Sequence, residues 1–283
     1  MSLLVVGALH WDVVVAAPQL PRLGETLPGG GVDYRLGGKG GNQAIAAARA
    51  GAKVAFAGRV GQDAPGQSMA ETLTAAGVDT QHLQRGPGAT GMSVAITVDG
   101  GDYGAVIVSG ENHAFEPGAL VVPNGCRIVL AQNEMAPGLL AHLSRIARAA
   151  GARFWLNLAP AAPLTAELAA GLADLLVVNR IEAGDLLGPM AASLPPAEIA
   201  DALHGLAPRT DCIVTLGDAG AAMKPNDGPA FHRPARAVAA SSTHGAGDVF
   251  CGALAAAHLA GRNWPDAVET AQHAAARHVA QSR

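Results

Sequence analysis

The stretch that decides the reading is Ser241-Ser242-Thr243-His244-Gly245-Ala246-Gly247-Asp248-Val249-Phe250-Cys251-Gly252-Ala253-Leu254. Small polar residues lead into Gly-Ala-Gly, an aspartate follows, and the Ala, Leu and Gly beyond it predict a buried helix starting near Gly245. Consecutive small residues at a helix start leave the first backbone N–H groups uncovered, and the helix dipole adds partial positive charge there. Such an amide nest is an anion site. Asp248 has two readings in that setting. It is either a favourable partner for the dipole, or a carboxylate aimed at the acceptor of a phosphoryl group, placed to take the proton of an attacking hydroxyl.

Outward from this stretch, composition sets the bounds. The 283 residues suffice for one large α/β domain with a small appendage, or for two modest domains. With 49% hydrophobic residues, 4% aromatics and 36 glycines, the core is packed with Ala, Val and Leu, and helices lie close against strands. A net charge of -4 and a pI near 6.2 give no basis for nucleic acid or an anionic membrane as partner, so a phosphate is met by local amides and metal. Cys126, Cys212 and Cys251 stand singly without a CxxC pair, as reduced core thiols do, which points to a cytoplasmic setting. The opening run Met1 to Gly7 is too short for a secretory signal, and no run is long enough to span a bilayer.

Leu3 to Val6 is a continuous apolar run closed by Gly7, as expected of a strand buried on both faces of a parallel sheet. His10 and Asp12 follow its carboxyl end, where ligands bind in such sheets. Val13 to Val15 reads as a strand leaving the core, and the turn-rich Pro18 to Gly31 brings the chain back through Val32 to Arg35. Next comes Leu36-Gly37-Gly38-Lys39-Gly40-Gly41-Asn42-Gln43-Ala44 and an alanine-rich helix to Ala50. A P-loop is excluded, because Asp33 stands where its first glycine belongs and Gly40 where Ser or Thr follows the lysine. The glycines let backbone approach a polyhydroxyl ligand, and Asn42 both donates and accepts toward vicinal hydroxyls; a structural helix cap is the competing reading.

A strand (Lys53 to Val60) and a helix (Gln67 to Ala76) come next. Thr90 to Val98 and Tyr103 to Ser109, joined by Asp99-Gly100-Gly101-Asp102, form the clearest hairpin. Together with Val13 to Arg35 it predicts a small sheet closing over the crevice. Strands at Arg127–Leu130, Arg153–Leu158, Leu175–Val178 and Cys212–Leu216 alternate with helices at Pro137–Ala150, Thr165–Gly171, Ile181–Leu187 and Pro196–Leu206, and Leu187–Pro196 reads as a loose loop. A last helix follows Asn263-Trp264-Pro265-Asp266. The alternation predicts an α/β fold with a doubly wound, mostly parallel sheet flanked by helices and a small β-sheet lid. Residues 1–11, 36–88 and 113–283 form the core and 12–35 and 89–112 the lid. The strand exits Gln132-Asn133-Glu134, Asn157, Asn179 to Glu182 and Thr215 to Asp218 are polar, which describes a ligand crevice better than a core.

These residues resemble the ribokinase-like (PfkB) family of carbohydrate and nucleoside kinases, closest to the ribokinases within it. Gly37 to Ala44 is similar to that family's first signature and Thr243 to Ala253 to its second; Asn157 to Ala161, Asn179 to Glu182 and Thr215 to Gly217 match landmarks between them, in order. The resemblance covers nearly the whole chain. It implies a Rossmann-like domain with a β-sheet lid, ATP and a sugar meeting beneath the lid, Asp248 as general base, and Gly245, Ala246 and Gly247 as the anion hole. It also implies Mg²⁺ organised through water by Asn179 and Glu182, and Thr215 and Gly217 beside the nucleotide. Asp12, Gly38, Lys39, Asn42 and Glu134 then line the sugar pocket, with His10 where ribokinases carry an asparagine.

Two further departures bear on cofactors. Ser242 replaces an aspartate that helps hold a monovalent cation, and the family's glycine-containing C-terminal segment is missing, so K⁺ activation is weakly indicated and adenine binding is expected to be looser. The acceptor is a small sugar by default. A nucleoside acceptor requires a larger apolar pocket beside Asp12, and a nucleotide- or sugar-sensing protein without turnover is the alternative from another class. The ten histidines form no HExxH or His/Cys cluster. His244 reads as a packing choice, Arg35 and Arg180 as surface or phosphate-adjacent, Glu111-Asn112 as substrate contact or solvated loop, and Trp11 as ligand stacking or lid packing. A homodimer through the lid edges is a family-based expectation.

Overall fold

The computed structural model describes residues 2–98, 103–238 and 244–281. In chain order its elements are β1 (Leu3–Val6), β2 (His10–Ala16), β3 (Gly31–Gly37), α1 (Lys39–Arg49), β4 (Val54–Gly61), α2 (Ala64–Ala75), β5 (Asp79–Gly86), β6 (Met92–Thr97) and β7 (Tyr103–Val108). The second half continues with β8 (Ile128–Gln132), α3 (Leu139–Ala149), β9 (Arg153–Asn157), α4 (Thr165–Ala169), β10 (Leu175–Asn179), α5 (Arg180–Leu187) and α6 (Pro196–Leu206). It closes with β11 (Asp211–Thr215), β12 (Ala221–Lys224), β13 (Phe231–Arg233), α7 (Ala246–Leu259) and α8 (Trp264–Gln281).

Nine strands form one sheet in the order β13-β12-β11-β10-β9-β8-β1-β4-β5. From β5 to β11 neighbours are parallel, while β12 and β13 return antiparallel. β1 lies inside this sheet, so its alternating side chains must both find apolar cover. Leu4 and Val6 join the layer that includes Leu143 of α3 and Ile199 of α6, whereas Leu3 and Val5 join Ala47 of α1, Met69 of α2, Leu254 of α7 and Val268 of α8. Each such leucine or valine stabilises the fold by about 1.5–3 kcal/mol through burial alone. The expected doubly wound α/β architecture is present.

Three strands lie outside the sequence expectation. β5 and β13 are the two edge strands, each paired on one side, and β12, next to β13, is a four-residue strand too short to show a pattern. Segment 187–196 is not fully loose, since Pro189–Ser193 makes a short 3₁₀ turn.

The smaller sheet has the order β3-β2-β6-β7. β2–β3 and β6–β7 are antiparallel and β2–β6 parallel. It springs from the crest of the large sheet, because only three residues separate the end of β1 from the start of β2. The return crossing is fastened there too. The Asn112 side chain accepts from the Leu9 N–H at 2.9 Å and donates to the Leu9 carbonyl at 2.7 Å, and Glu111 accepts from Arg59 at 2.5 Å and from the Gly88 N–H at 2.6 Å. Both residues are buried. Glu111-Asn112 is therefore an anchor between the sheets, neither a solvated loop nor a substrate contact.

α7 and α1 pack closely enough that only glycine fits at the crossing. A Cβ on Gly252 would lie 2.5 Å from the Gln43 carbonyl oxygen and 2.7 Å from the Ala46 Cβ. Among the described residues no helix is long and apolar enough to cross a membrane, and the three cysteines are buried and unpaired.

Candidate functional site

α7 starts with its amides bare. Gly245 caps it with φ 74°, in the left-handed region that glycine adopts without a Cβ penalty, and no side chain bonds the cap. A Cβ placed on Gly247 would meet nothing within 4 Å, so the nest opens onto space. Two cavities reach it, each touching different residues of the helix start. One, of about 650 Å³, touches His244 and Gly245 and runs past Asp12, Arg35, Asn42, Ile45, Val249 and Ala253; it is called here the Asp12 cavity. The other, of about 450 Å³, touches Ala246 and Gly247 and is walled by Thr215, Gly217, Val238, Phe250, Ala275 and Val279; it is the Phe250 cavity.

Asp248 belongs to the first turn of α7 and turns inward, lining neither cavity. Its Oδ1 accepts from Gln43 Nε2 at 3.0 Å and its Oδ2 from Asn42 Nδ2 at 3.3 Å. Both partners come from the first turn of α1, which the Gly252 crossing brings against α7. Burial pushes the Asp248 carboxyl above its ordinary value; Lys39 and the two amide donors pull it back, and Glu134 adds to the rise.

Lys39 sits among the acids. Its N–H donates to Glu134 Oε2 at 2.8 Å and its ammonium lies 3.7 Å from Glu134 Oε1. Burial disfavours the ammonium, but Asp248, Glu134 and Glu182 outweigh that and raise its pKa, so Lys39 is the cation that lets carboxylates collect in a half-buried site. Gly38 caps α1 beneath the Ala8 carbonyl. Asp12 stands opposite Arg35 on the β2–β3 ladder, and burial raises its pKa against the pull of His10, His244 and Arg35. His10 lies at the lid base opposite Gly37, its pKa lowered by burial, and its Nε2 has no hydrogen-bond partner among the described residues.

Asn179 and Glu182 form a capping box on α5: Asn179 Oδ1 accepts from the Glu182 N–H at 2.9 Å and Glu182 Oε2 from the Asn179 N–H at 2.7 Å. The box leaves Glu182 Oε1 outside it. No group of three or more His, Cys, Asp or Glu among the described residues is arranged to hold a metal. Among the described residues no direct cage is built, whereas Mg²⁺ that keeps its waters and is carried by substrate phosphates would need only the Glu182 oxygen outside the box.

The remaining candidates sort cleanly. Thr215 and Gly217 line the Phe250 cavity, while Asp12, Asn42 and Gly245 line the Asp12 cavity; His10, Gly38, Lys39, Glu134, Asn179 and Glu182 line neither. Trp11 stacks on Tyr34 with centroids 6.0 Å apart, which is lid packing. Arg35 is exposed and 3.5 Å from Asp33. Ser242, with Ser241 and Thr243, lies outside the described residues.

Two strand exits do not face a crevice. Gln132 and Asn157 are buried and bond Gln43, with Gln132 Nε2 2.6 Å from Gln43 Oε1 and Gln43 Nε2 3.0 Å from Asn157 Oδ1. Gln43, which joins these two residues to Asp248, is absent from the sequence expectation. Its signal was present, since it falls on the buried period Gly40, Gln43, Ala44, Ala47 of an otherwise small-residue helix face.

Comparison with known proteins places this geometry. The Arabidopsis thaliana ribokinase structure complexed with ribose and ATP aligns with a TM-score of 0.90 at 26% identity, covering 100% of this chain and 93% of that one. The Cryptococcus neoformans ribokinase structure in complex with ADP aligns at 0.83 and 28% identity, covering 99% and 94%. In sequence, the chain is 32% identical over 283 residues to a Haemophilus influenzae ribokinase (97% of this chain, 91% of that protein) and 29% identical over 262 residues to a Salmonella typhi deoxyribokinase (90% and 85%). The description "pfkB family carbohydrate kinase" matches residues 1–283, and with a bare helix start between two cavities and a buried acid behind it, this chain belongs to that family of sugar kinases.

Proposed function

We propose that the protein transfers the γ-phosphoryl group of ATP to a hydroxyl of a small sugar, with Asp248 as the base and the Gly245, Ala246 and Gly247 amides as the anion hole. The observation that carries this reading is that the α7 start touches both cavities, Gly245 on one side and Ala246 and Gly247 on the other. A group passed between two such cavities crosses the nest. Phosphoryl transfer has a loose transition state that needs alignment and charge neutralisation, and fixed amides supply both. Asp248 orients the hydroxyl and collects its proton late in the transfer.

The acceptor occupies the Asp12 cavity, held by Asp12 and Asn42, and extends beyond its lining toward His10, Gly38, Lys39 and Glu134. The nucleotide occupies the Phe250 cavity, its ring between Phe250, Ala275 and Val279 and its phosphates near Thr215 and Gly217. Asn179 and Glu182 organise the water shell of Mg²⁺, which when bound neutralises phosphate charge. A second acceptor class has a specific observation behind it. The Asp12 cavity is large and carries Leu36, Ile45, Val249 and Ala253 beside Asp12, which suits a nucleoside. The lid leaves Val32, Tyr34, Val94, Val106 and Ile107 exposed, which supports a homodimer through that sheet.

The test is ADP release on mixing ATP, Mg²⁺ and a panel of pentoses, hexoses and nucleosides, with Asp248→Asn as control. Turnover with a sugar and none in the control supports the kinase with Asp248 as base. Turnover with nucleosides only moves the acceptor to the second class. A wild type that binds ATP but turns over nothing supports a sensor.

A further inference from the structure

We infer that Gln43 is a positioning residue for Asp248, the junction of a buried amide relay that ties the acid to three strands of the large sheet. The inference rests on the reading of Asp248 as the base. Gln43 is fully buried on α1, and an uncharged amide in such a place is costly unless every polar atom is matched. Here each one is. The two N–H bonds of Nε2 go to Asn157 Oδ1 and Asp248 Oδ1, each at 3.0 Å, and Oε1 accepts from Gln132 Nε2 at 2.6 Å. Asn157 donates in turn to the Val177 carbonyl at 3.1 Å.

Gln132 ends β8, Asn157 ends β9 and Val177 lies in β10, so the relay references the carboxylate to three adjacent, mutually paired strands of the large sheet. Its direction is dictated from one end. An ionised Asp248 only accepts, so Gln43 must offer its NH₂ group there and its oxygen to Gln132. At the far end Gln132 Oε1 is buried with no partner among the described residues. Asn42, the other donor to Asp248, lines the Asp12 cavity, half-buried and at 3.3 Å. It is free to turn toward an acceptor while Gln43 keeps the acid in place.

The charged and titratable groups around Asp248 are Lys39 on α1, Glu134 after β8, Glu182 on α5 and Cys251 on α7 itself. Gln43 adds a donor to the charged form, so its removal raises the pKa of the acid, and activity that needs the carboxylate is lost at higher pH on acidification. The experiment compares Gln43→Met, which keeps length and loses all three bonds, with Gln132→Met, Gln43→Glu and Asp248→Asn in the intact protein.

For Gln43→Met the expected result is a kcat about 10–100-fold lower, both KM values within about threefold of wild type, and an acid limb of kcat moved up by about one pH unit. Gln132→Met shifts both in the same direction by less. It carries the test if Gln43→Met does not fold. Gln43→Glu places two acids against one site, and the pair titrates jointly with the limb higher still. An Asp248→Asn that keeps wild-type turnover overturns the base and its positioning together. An inactive Asp248→Asn beside a Gln43→Met whose limb does not move overturns the positioning alone.

Discussion

The two cavities that meet at the start of α7 are made of different materials. The Asp12 cavity takes Asp12 and Arg35 from the lid, Asn42 and Arg49 from α1, and Arg277 from α8. The Phe250 cavity is mostly small and apolar, with Ala235, Ala237, Val238, Phe250, Ala275, Ala276 and Val279 around Thr215 and Gly217. A wall of hydrogen-bonding side chains discriminates strongly, because a ligand lacking one partner leaves a buried polar group unmatched. An apolar slot selects by shape and accepts any flat ring that fits. On the proposed assignment of the two cavities, acceptor identity would be written in side chains and nucleotide binding in small residues and backbone.

Substitutions separate the two sides. Asp248→Asn serves both and has the largest effect, a kcat lower by about a thousandfold, read by ADP release, with ATP binding retained in calorimetry. Asp12→Ala strikes the side-chain wall: the acceptor KM rises about 10–100-fold while the ATP KM holds, the cost of one charged hydrogen-bond partner. Ala275→Trp fills the apolar slot and gives the mirror image, an ATP KM up about tenfold, or about 1.4 kcal/mol, with the acceptor KM steady. If Asp12→Ala and Ala275→Trp move both constants alike, the division of labour is wrong.

Smaller effects follow. Burial lifts the Asp248 carboxyl, so below its raised pKa the acid is protonated and cannot accept; the acid limb of kcat therefore lies above the value of about 4 expected of an ordinary aspartate. Ile107→Lys on the exposed lid face leaves turnover within about threefold and shifts the sedimentation profile toward monomer, a charge on an apolar patch being a barrier to association.

The central strands and the α7 start were legible because each rests on local physics. β1 is apolar throughout since both its faces are covered, and Gly245 to Gly247 announces an uncapped helix. β5 was not legible, because Asp79-Thr80-Gln81-His82-Leu83 is an edge sequence whose strand exists only through pairing with β4. Asn112 was ambiguous for a related reason: its role is a bond pair to Leu9, 103 positions away. Gln132 and Asn157 were legible as polar strand exits but not as partners of Gln43, since a polar residue at a strand tip has the same letter whether it meets a ligand or another side chain.

The Gly252 crossing carries a consequence for how this protein tolerates change. Gln43 reaches Asp248 only because its own backbone oxygen nearly touches the bare α-carbon of Gly252. A single extra methyl there would wedge the helices apart and be felt as lost chemistry, although the position is a full turn from the acid and meets no ligand. On the proposed role of Asp248, steric thrift between two alanine-rich rods becomes a component of the reaction machinery.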